Sequence, residues 1–489
     1  MQLVSYFIVI PLAAAFLIPL FGNKIKWSGV LGAALAAFLL SCASFAAAGL
    51  VITQKTLAYK LGMWLPPASI EMVIDGLSAF MLITVNVVAF LVTIYSISYI
   101  NKYTDKWKFY TLFCLMMAGI NGVLIAGDIF NMYVFLEIAA MSAYFLVAFG
   151  TEADELEAAF KYAVMGTVAS AFILLGIAFL YSYTSTLNMR DMASVLSLKG
   201  PGAVIQFVSV LFLMGFGLKA ALVPFHAWLP YAHSSAPAPI SAMLSGILIK
   251  VLGVYALVRI FFNVFGMTPA VLSVLIVLAV LSMVIGSIMA FGQSDIKRLL
   301  AYSSISQIGY IALGFGIATP LAIVGALFHL FNHSLFKSLL FLDSGAIERS
   351  YGTKDLGSIR DVVSRVPLTG YTTLVGAMSI CGIPPLGGFW SKLIIILACI
   401  QANRPVLALV AILVSILTLG YYFKALTPAL FGKRKAGPPD PVVRNISFTM
   451  GLPMIILAVL SVISFFMLIP GPGNMLLKDA AVVLSGAFK

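Results

Sequence analysis

This sequence has little charge. Acidic and basic residues make up 9% of its 489 positions, against 62% hydrophobic, and the mean hydropathy is +1.09. A soluble domain carries about a quarter charged residues. This composition excludes one and reads as a polytopic membrane protein. Cysteine is also scarce. Cys42, Cys114, Cys381 and Cys399 stand singly in apolar runs, without the CxxC spacing of a disulfide framework or metal knuckle. There is no GxxxxGK[ST] loop and no GxGxxG between strand and helix, so nucleotide-driven work is not expected here. No flavin, haem or iron–sulfur motif is visible either, and no cofactor or metal is expected in this chain. No connection is long enough to hold a soluble domain. No positive segment precedes the opening run MQLVSYFIVIPLAAAFLIPLF, which reads as a membrane helix and not as a cleaved leader. The net charge of +12 comes without a Lys/Arg stripe or aromatic-basic patch, so nucleic acid is not an expected partner.

What is abundant is apolar runs of membrane length. A span needs about 18 or more apolar residues. Fourteen spans are expected, at roughly 3–21, 28–52, 72–99, 109–126, 129–149, 162–183, 204–224, 238–258, 269–291, 300–318, 320–345, 368–399, 405–431 and 450–469. An even count puts both termini on one face. Sixteen Lys and Arg, Lys297 among them, follow odd-numbered spans; eight, Arg259 among them, fall on the other face. The positive-inside rule makes the richer face cytoplasmic and both termini outward, in a cell (inner) membrane.

Two spans read as broken. The seventh contains GFGLKAALVPFHAWLP and the twelfth CGIPPLGGFWSKL. Proline removes a backbone donor and clashes with the preceding turn. Freed backbone groups at membrane depth are tolerated only in protein or along a hydrated cavity. The breaks are five spans apart, and an odd offset inverts one unit against the other, as in inverted repeats with a site near the midplane. The expected fold is all-α, with about fourteen helices in two inverted five-helix repeats. Its parts are 1–108 (helices 1–3), 109–262 (helices 4–8), 269–431 (helices 9–13) and 432–489 (helix 14 and tail).

The few charges inside the spans carry the chemistry. Lys219, Lys250, Lys337, Lys392 and Lys424 lie inside apolar runs, and Glu137 lies deep in another. Each costs at least about 2.5–3.5 kcal/mol at the bilayer centre, and such residues read by default as an ion or proton path. Lys219, beside the seventh-span break, is the candidate partner for Glu137; the bland alternative is a packing ion pair. Lys250 is near the middle of its span. His329 and His333, in HLFNH, share one helix face, and Lys337 continues it. The glutamate of HExxH is missing, so a proton shuttle is expected in place of a metal. Lys392 closes the series at the second break. Lys424 lies near a span end and is left out as a snorkelling residue. His226 and His233 could gate access or cap a re-entrant loop. Asp75, Asp128 and Asp295 lie near span ends and are expected to be structural.

GFGLKAALVPFHAWLPYAHSSAPAPISAMLSGILIKVLGVY (215–255) resembles a known family, as do DIKRLLAYSSISQIGY (295–310), HLFNHSLFKSLLFLDSGAI (329–347) and GIPPLGGFWSK (382–392). These are the antiporter-like subunits of respiratory complex I, the Mrp-type cation/proton antiporters and the membrane-bound hydrogenases. The likeness runs from about 70 to 430. It implies fourteen core helices, two inverted five-helix repeats, a Glu137–Lys219 pair, a central Lys250, a His329/His333/Lys337 link and a terminal Lys392. Lys392 departs from the pattern of the M-type subunit, which has Glu there, and Gln307 suits L-type and Mrp patterns. No long lateral helix of the L-type is expected after the fourteenth span. An Mrp D, N-type or hydrogenase subunit is the closest subtype reading.

The expected function is a proton-translocating, or Na+/H+-exchanging, subunit of a multisubunit membrane complex. Its expected partners are antiporter-like and small transmembrane subunits, with a hydrogenase or NADH-oxidising arm if the complex is redox-driven. A stand-alone transporter and a purely structural membrane subunit are the alternatives.

Overall fold

A computed structural model describes residues 2–22, 24–25, 27–64, 69–200, 202–433 and 446–486. Of the charges used for orientation, Lys26, Arg434, Lys435, Arg444 and Lys489 lie outside the described residues.

Twelve described helices have the length and apolar composition to cross a membrane. In chain order the helices begin with α1 (Gln2–Gly22), α2 (Ser28–Gln54), α3 (Gly76–Tyr99), α4 (Lys106–Ile125), α5 (Ile129–Val147) and α6 (Ala153–Thr184). After the short α7 (Met189–Lys199) come the half-span α8 (Ala203–Lys219), α9 (Trp228–Ser235) and α10 (Ala238–Val264). Then follow α11 (Pro269–Phe291), α12 (Ile296–Ile317) and α13 (Pro320–Tyr351). The last are the half-spans α14 (Pro367–Cys381) and α15 (Gly387–Gln401), α16 (Pro405–Phe431), α17 (Phe448–Ile463) and α18 (Pro472–Ser485). The fourteen expected spans correspond to twelve unbroken helices and two broken crossings, α8–α9 and α14–α15.

Burial differs from helix to helix. α10 is wholly enclosed, α12 and α13 nearly so, while α1, α16 and α17 present most of their surface outward. α3 and α4 are joined by a reciprocal amide pair: Asn86 Nδ2 donates to Asn121 Oδ1 at 2.9 Å and Asn121 Nδ2 to Asn86 Oδ1 at 3.1 Å. Such bonds hold membrane helices together where the hydrophobic effect does not.

Asp75, Asp128 and Asp295 cap helices. Each carboxylate accepts the backbone N–H three residues on, in Ser78, Asn131 and Arg298, at 2.8–3.0 Å, satisfying one of the orphan donors of a helix start. The last two also mark a correspondence between halves. An antiparallel bridge joins Asp128 to Asn188 across α5 and α6, and another joins Asp295 to Asp355 across α12 and α13. Both have the same bond pattern: Ile129 N to Leu187 O and Met189 N to Gly127 O, then Ile296 N to Lys354 O and Leu356 N to Ser294 O. The two clips are five crossings apart, hence on opposite membrane faces, as inverted units require.

Four features depart from the sequence reading. Leu57–Lys60 and Glu71–Ile74 form an antiparallel hairpin, β1 and β2. α18 folds back within the expected tail and packs on α3 and α13, burying Leu476, Leu477, Ala480, Ala481 and Leu484. Arg259 and Lys297, counted as loop charges, are buried inside α10 and α12; both are paired, so their helices extend past the apolar runs that marked the spans. Removing them leaves fifteen and seven in the sequence count, of which eleven and six are described residues, so the asymmetry of the count persists.

Candidate functional site

The first break positions Lys219 as the last residue of α8. Proline cannot donate from 224, and the neighbouring backbone is satisfied by side chains from elsewhere. Ser282 Oγ accepts the Val223 N–H at 2.9 Å, and Trp228 Nε1 donates to Leu218 O at 3.0 Å. Trp228 is itself stacked on Tyr162, with centroids 4.3 Å apart. The break is thus a built structure with its hydrogen bonds redirected. Lys219 Nζ lies 3.5 Å from Glu137 Oε1; the lysine side chain is 3% exposed and the glutamate 27%. Ser170 Oγ of α6 donates to the same Glu137 oxygen. The expected pair is present, with the carboxylate at the outer surface of the bundle and the amine inside.

Lys250 lies in a stretch of α10 wound as a π-helix, Leu244–Tyr255. π-winding widens the helix and often accompanies function. Here Lys250 Nζ donates to Ser245 O at 2.6 Å and Gly246 O at 2.7 Å. The amine is fully buried and bonded to its own helix.

His329, His333 and Lys337 are all fully buried on α13. The two histidine rings are 6.3 Å apart between centroids. His329 contacts Ser391 Oγ at 2.8 Å through Nδ1 and Gln307 Oε1 at 3.2 Å through Nε2. Both nitrogens of His333 are buried without a hydrogen-bond partner among the described residues. Lys337 Nζ donates to Leu300 O at 2.7 Å and to Ser303 Oγ at 2.5 Å.

Lys392 stands just after the second break. Its Nζ donates to Ile380 O at 2.7 Å, one of the carbonyls left orphaned where α14 stops, at the negative end of a helix dipole. Gly382 turns the chain at φ +79°. Gly388 lets α15 lie against α14: a Cβ there would collide with Ser379 O. The Ser391 contact ties His329 to the turn that carries Lys392.

The outlying candidates separate. His233 is fully buried, both ring nitrogens without a hydrogen-bond partner among the described residues, and stacked on Phe341 at 4.9 Å. His226 is half-buried at the break. Lys424 is exposed and leans on Phe291, as a snorkelling residue does. No group of three or more His, Cys, Asp or Glu that could hold a metal occurs among the described residues.

Residues 126–418 match the family model "NADH:quinone oxidoreductase/Mrp antiporter, TM", and 64–110 match "NADH-Ubiquinone oxidoreductase (complex I), chain 5 N-terminus". The chain belongs to the NADH:quinone oxidoreductase/Mrp antiporter family. It is 36% identical over 456 residues to the N-type subunit of the NADH-quinone oxidoreductase of Desulforudis audaxviator, covering 91% of this chain and 90% of that one. It is 36% identical over 377 residues to the D-type subunit of the Na(+)/H(+) antiporter of Alkalihalophilus pseudofirmus, covering 77% and 76%. Its fold matches a chain in the membrane-bound sulfane sulfur reductase, an archaeal respiratory membrane complex, with TM-score 0.91 and 30% identity, over 99% of both. It is an antiporter-like subunit, and these relatives are subunits of multisubunit membrane complexes; a stand-alone transporter is not favoured.

This antiporter-family chain holds buried charges that the sequence reading passed over. Asp343, fully buried on α13, sits in the stretch LFLDSGAI, where Lys337 and the histidines draw attention first. Lys297 Nζ pairs with Glu348 Oε2 at 2.7 Å. Arg259 pairs with Asp75 at 2.6 Å. A mismatch between apolar-run ends and the first interior charge beyond them is the available signal for the last two.

Proposed function

We propose that this chain moves protons across the membrane as a non-redox subunit of a larger complex, with Lys219, Lys250, His333, His329, Lys337 and Lys392 as the carriers. The observation behind the proposal is the bonding of three interior amines. Lys250, Lys337 and Lys392 are held by backbone carbonyls and one serine hydroxyl, with no carboxylate partner among the described residues. A structural buried cation is normally paired, because an unpaired one costs several kcal/mol. Neutral and cationic amines can both donate to a carbonyl, so such sites tolerate either state.

Protons are taken up near Lys219 or Lys250, cross by Lys250, His333, His329 and Lys337, and leave from Lys392. The more exposed side of Glu137 faces a neighbouring subunit and couples it to Lys219. His226 and His233 flank the uptake region as gates. Residues 109–262 and 269–431 act as the two inverted units. The Lys/Arg-rich face is cytoplasmic, in a cell membrane, and both termini face outward. The partners are antiporter-like and small membrane subunits, joined by a hydrogenase or NADH-oxidising arm if the complex is redox-driven. Sodium exchange is the reading that the Na(+)/H(+) antiporter relative supports.

Lys219→Ala tests the proposal. Coupled proton transport by the intact complex in vesicles falls by about a hundredfold or more, the scale of a lost proton-transfer group, while the complex stays assembled. Normal transport by an assembled variant refutes the assignment.

A further inference from the structure

Asp343 takes no part in the row of amines. It lies six residues beyond Lys337 on α13 and faces α14. Thr372 Oγ1 donates to its Oδ1 at 2.9 Å, and Oδ2 has no hydrogen-bond partner among the described residues. Thr373 stands beside the same carboxyl group, and Thr369 is one turn earlier on that face of α14. Thr369 and Thr373 are 0% and 1% exposed, and neither hydroxyl has a hydrogen-bond partner among the described residues. No Lys or Arg forms an ion pair with Asp343 among the described residues. A buried carboxylate without a cation must be balanced, most simply by a proton.

The polar face continues in both directions. Ser379, seven residues after Thr372 and so on the same side of the helix, is fully buried, its Oγ without a hydrogen-bond partner among the described residues. Beside it is Ile380, whose carbonyl holds Lys392. Eight residues of helix, about 12 Å, separate Thr372 from that carbonyl. Midway, Leu339 and Leu340 pack closely against Gly376. Towards the Lys/Arg-rich face, Glu348 is five residues from Asp343, about 7.5 Å along the helix. It lines a cavity of about 460 Å³ with Tyr99, Lys102 and Arg349. Tyr95 lies alongside, its Oη donating to Leu342 O at 2.8 Å. The corresponding half of the first broken crossing, α8, has one hydroxyl, Ser209, bonded to its own helix. The hydroxyl face therefore does not come with the broken-helix architecture.

We propose that Asp343 is a protonatable relay that loads Lys392 from the Lys/Arg-rich face, through Thr372, Thr373 and Ser379. The carboxyl O–H passes its proton along the hydroxyls, each of which both donates and accepts, to the neutral Lys392 amine. The carboxylate left behind takes its next proton from the cavity at Glu348. This rests on the reading of Lys392 as a carrier and adds a second uptake route, in the half that otherwise only releases.

The test is proton transport by the intact complex in vesicles carrying Asp343→Asn, Asp343→Glu or Lys392→Ala, with assembly checked for each. Asparagine can still accept from Thr372 but cannot carry a proton. Asp343→Asn is expected to lower the rate about tenfold or more, with Asp343→Glu recovering most of it. Wild-type transport by Asp343→Asn beside an inactive Lys392→Ala overturns the inference and leaves the proposed function standing. Equal loss in the Asn and Glu variants makes Asp343 a packing residue and also overturns it. So does a transport rate set by sodium that only the Asp343 variants lose, which marks a cation site. Undiminished transport by Lys392→Ala removes the carrier itself, and both readings fail together.

Discussion

Asp75→Ala should be among the most destabilising single changes available at the rim of this bundle. Asp75 accepts from Arg259 at 2.6 Å and 2.9 Å and caps α3 through Ser78 N. Arg259, 7% exposed, also donates to Ser78, Tyr255 and Asn263. Truncating Asp75 leaves a buried guanidinium uncompensated, which costs about 3–5 kcal/mol, and removes a cap worth about 1 kcal/mol. Arg259→Met leaves the carboxylate behind at a similar cost. The double variant leaves neither charge, so its cost is expected to fall about 3 kcal/mol short of the sum of the singles. Unfolding free energies of the four detergent-purified proteins measure this coupling. Strict additivity would falsify it. The pH dependence gives a second reading. Burial by itself would raise the Asp75 pKa, but the Arg259 charge and hydrogen bonds outweigh it and hold the carboxyl below its ordinary range. A lowered folded-state value contributes stability above the unfolded value near 3.9, and that stability is lost as pH falls through the folded value. Wild type therefore loses stability below about pH 4 that Asp75→Ala never had.

Two further outcomes follow from close contacts. Gly388→Val drives a side chain into Ser379 O and forces α15 off α14; a loss of about 3 kcal/mol or more is expected, read as lower assembly, and undiminished assembly and transport would show that the approach is not needed. Ser303→Ala removes one of the two partners of Lys337 and the contact to Tyr422 Oη at 3.1 Å; a hydrogen bond to a charged group is worth about 1.5–3 kcal/mol, so transport should slow by about tenfold or more, and an unchanged rate would mean that Leu300 O alone positions the amine.

The parts of this molecule that can be read in one dimension are those where a rare residue meets a common background. Lys219 and Lys392 announce themselves beside Pro224 and Pro384, and the structure places both at real helix breaks. Glu137 and Lys219, 82 positions apart in the numbering, pair on scarcity alone. What stays hidden depends on shape. The π-winding around Lys250 uses residues that would equally form an α-helix. The hairpin at 57–60 and 71–74 and the helix at 472–485 are short, and their apolar faces make sense only against the helices they pack on, α1–α4 for the hairpin and α3 and α13 for the helix. Arg259 and Lys297 look like loop charges when apolar content, not hydrogen bonding, is used to end the spans. Asp343 is overlooked for the opposite reason: it sits among stronger signals, and its meaning comes from threonines on another helix.

The amines of the interior row rest mainly on main-chain oxygens: Ser245 O and Gly246 O for Lys250, Leu300 O for Lys337, Ile380 O for Lys392. No substitution can delete a peptide carbonyl. The docking points are written in helix ends and helix pitch, and the residues supplying them are free to drift in identity as long as the bends survive. Two relatives could keep the same docking points while sharing none of the side chains that carry those carbonyls, and a change far away that straightened one bend would dismantle a docking point without touching any residue in it.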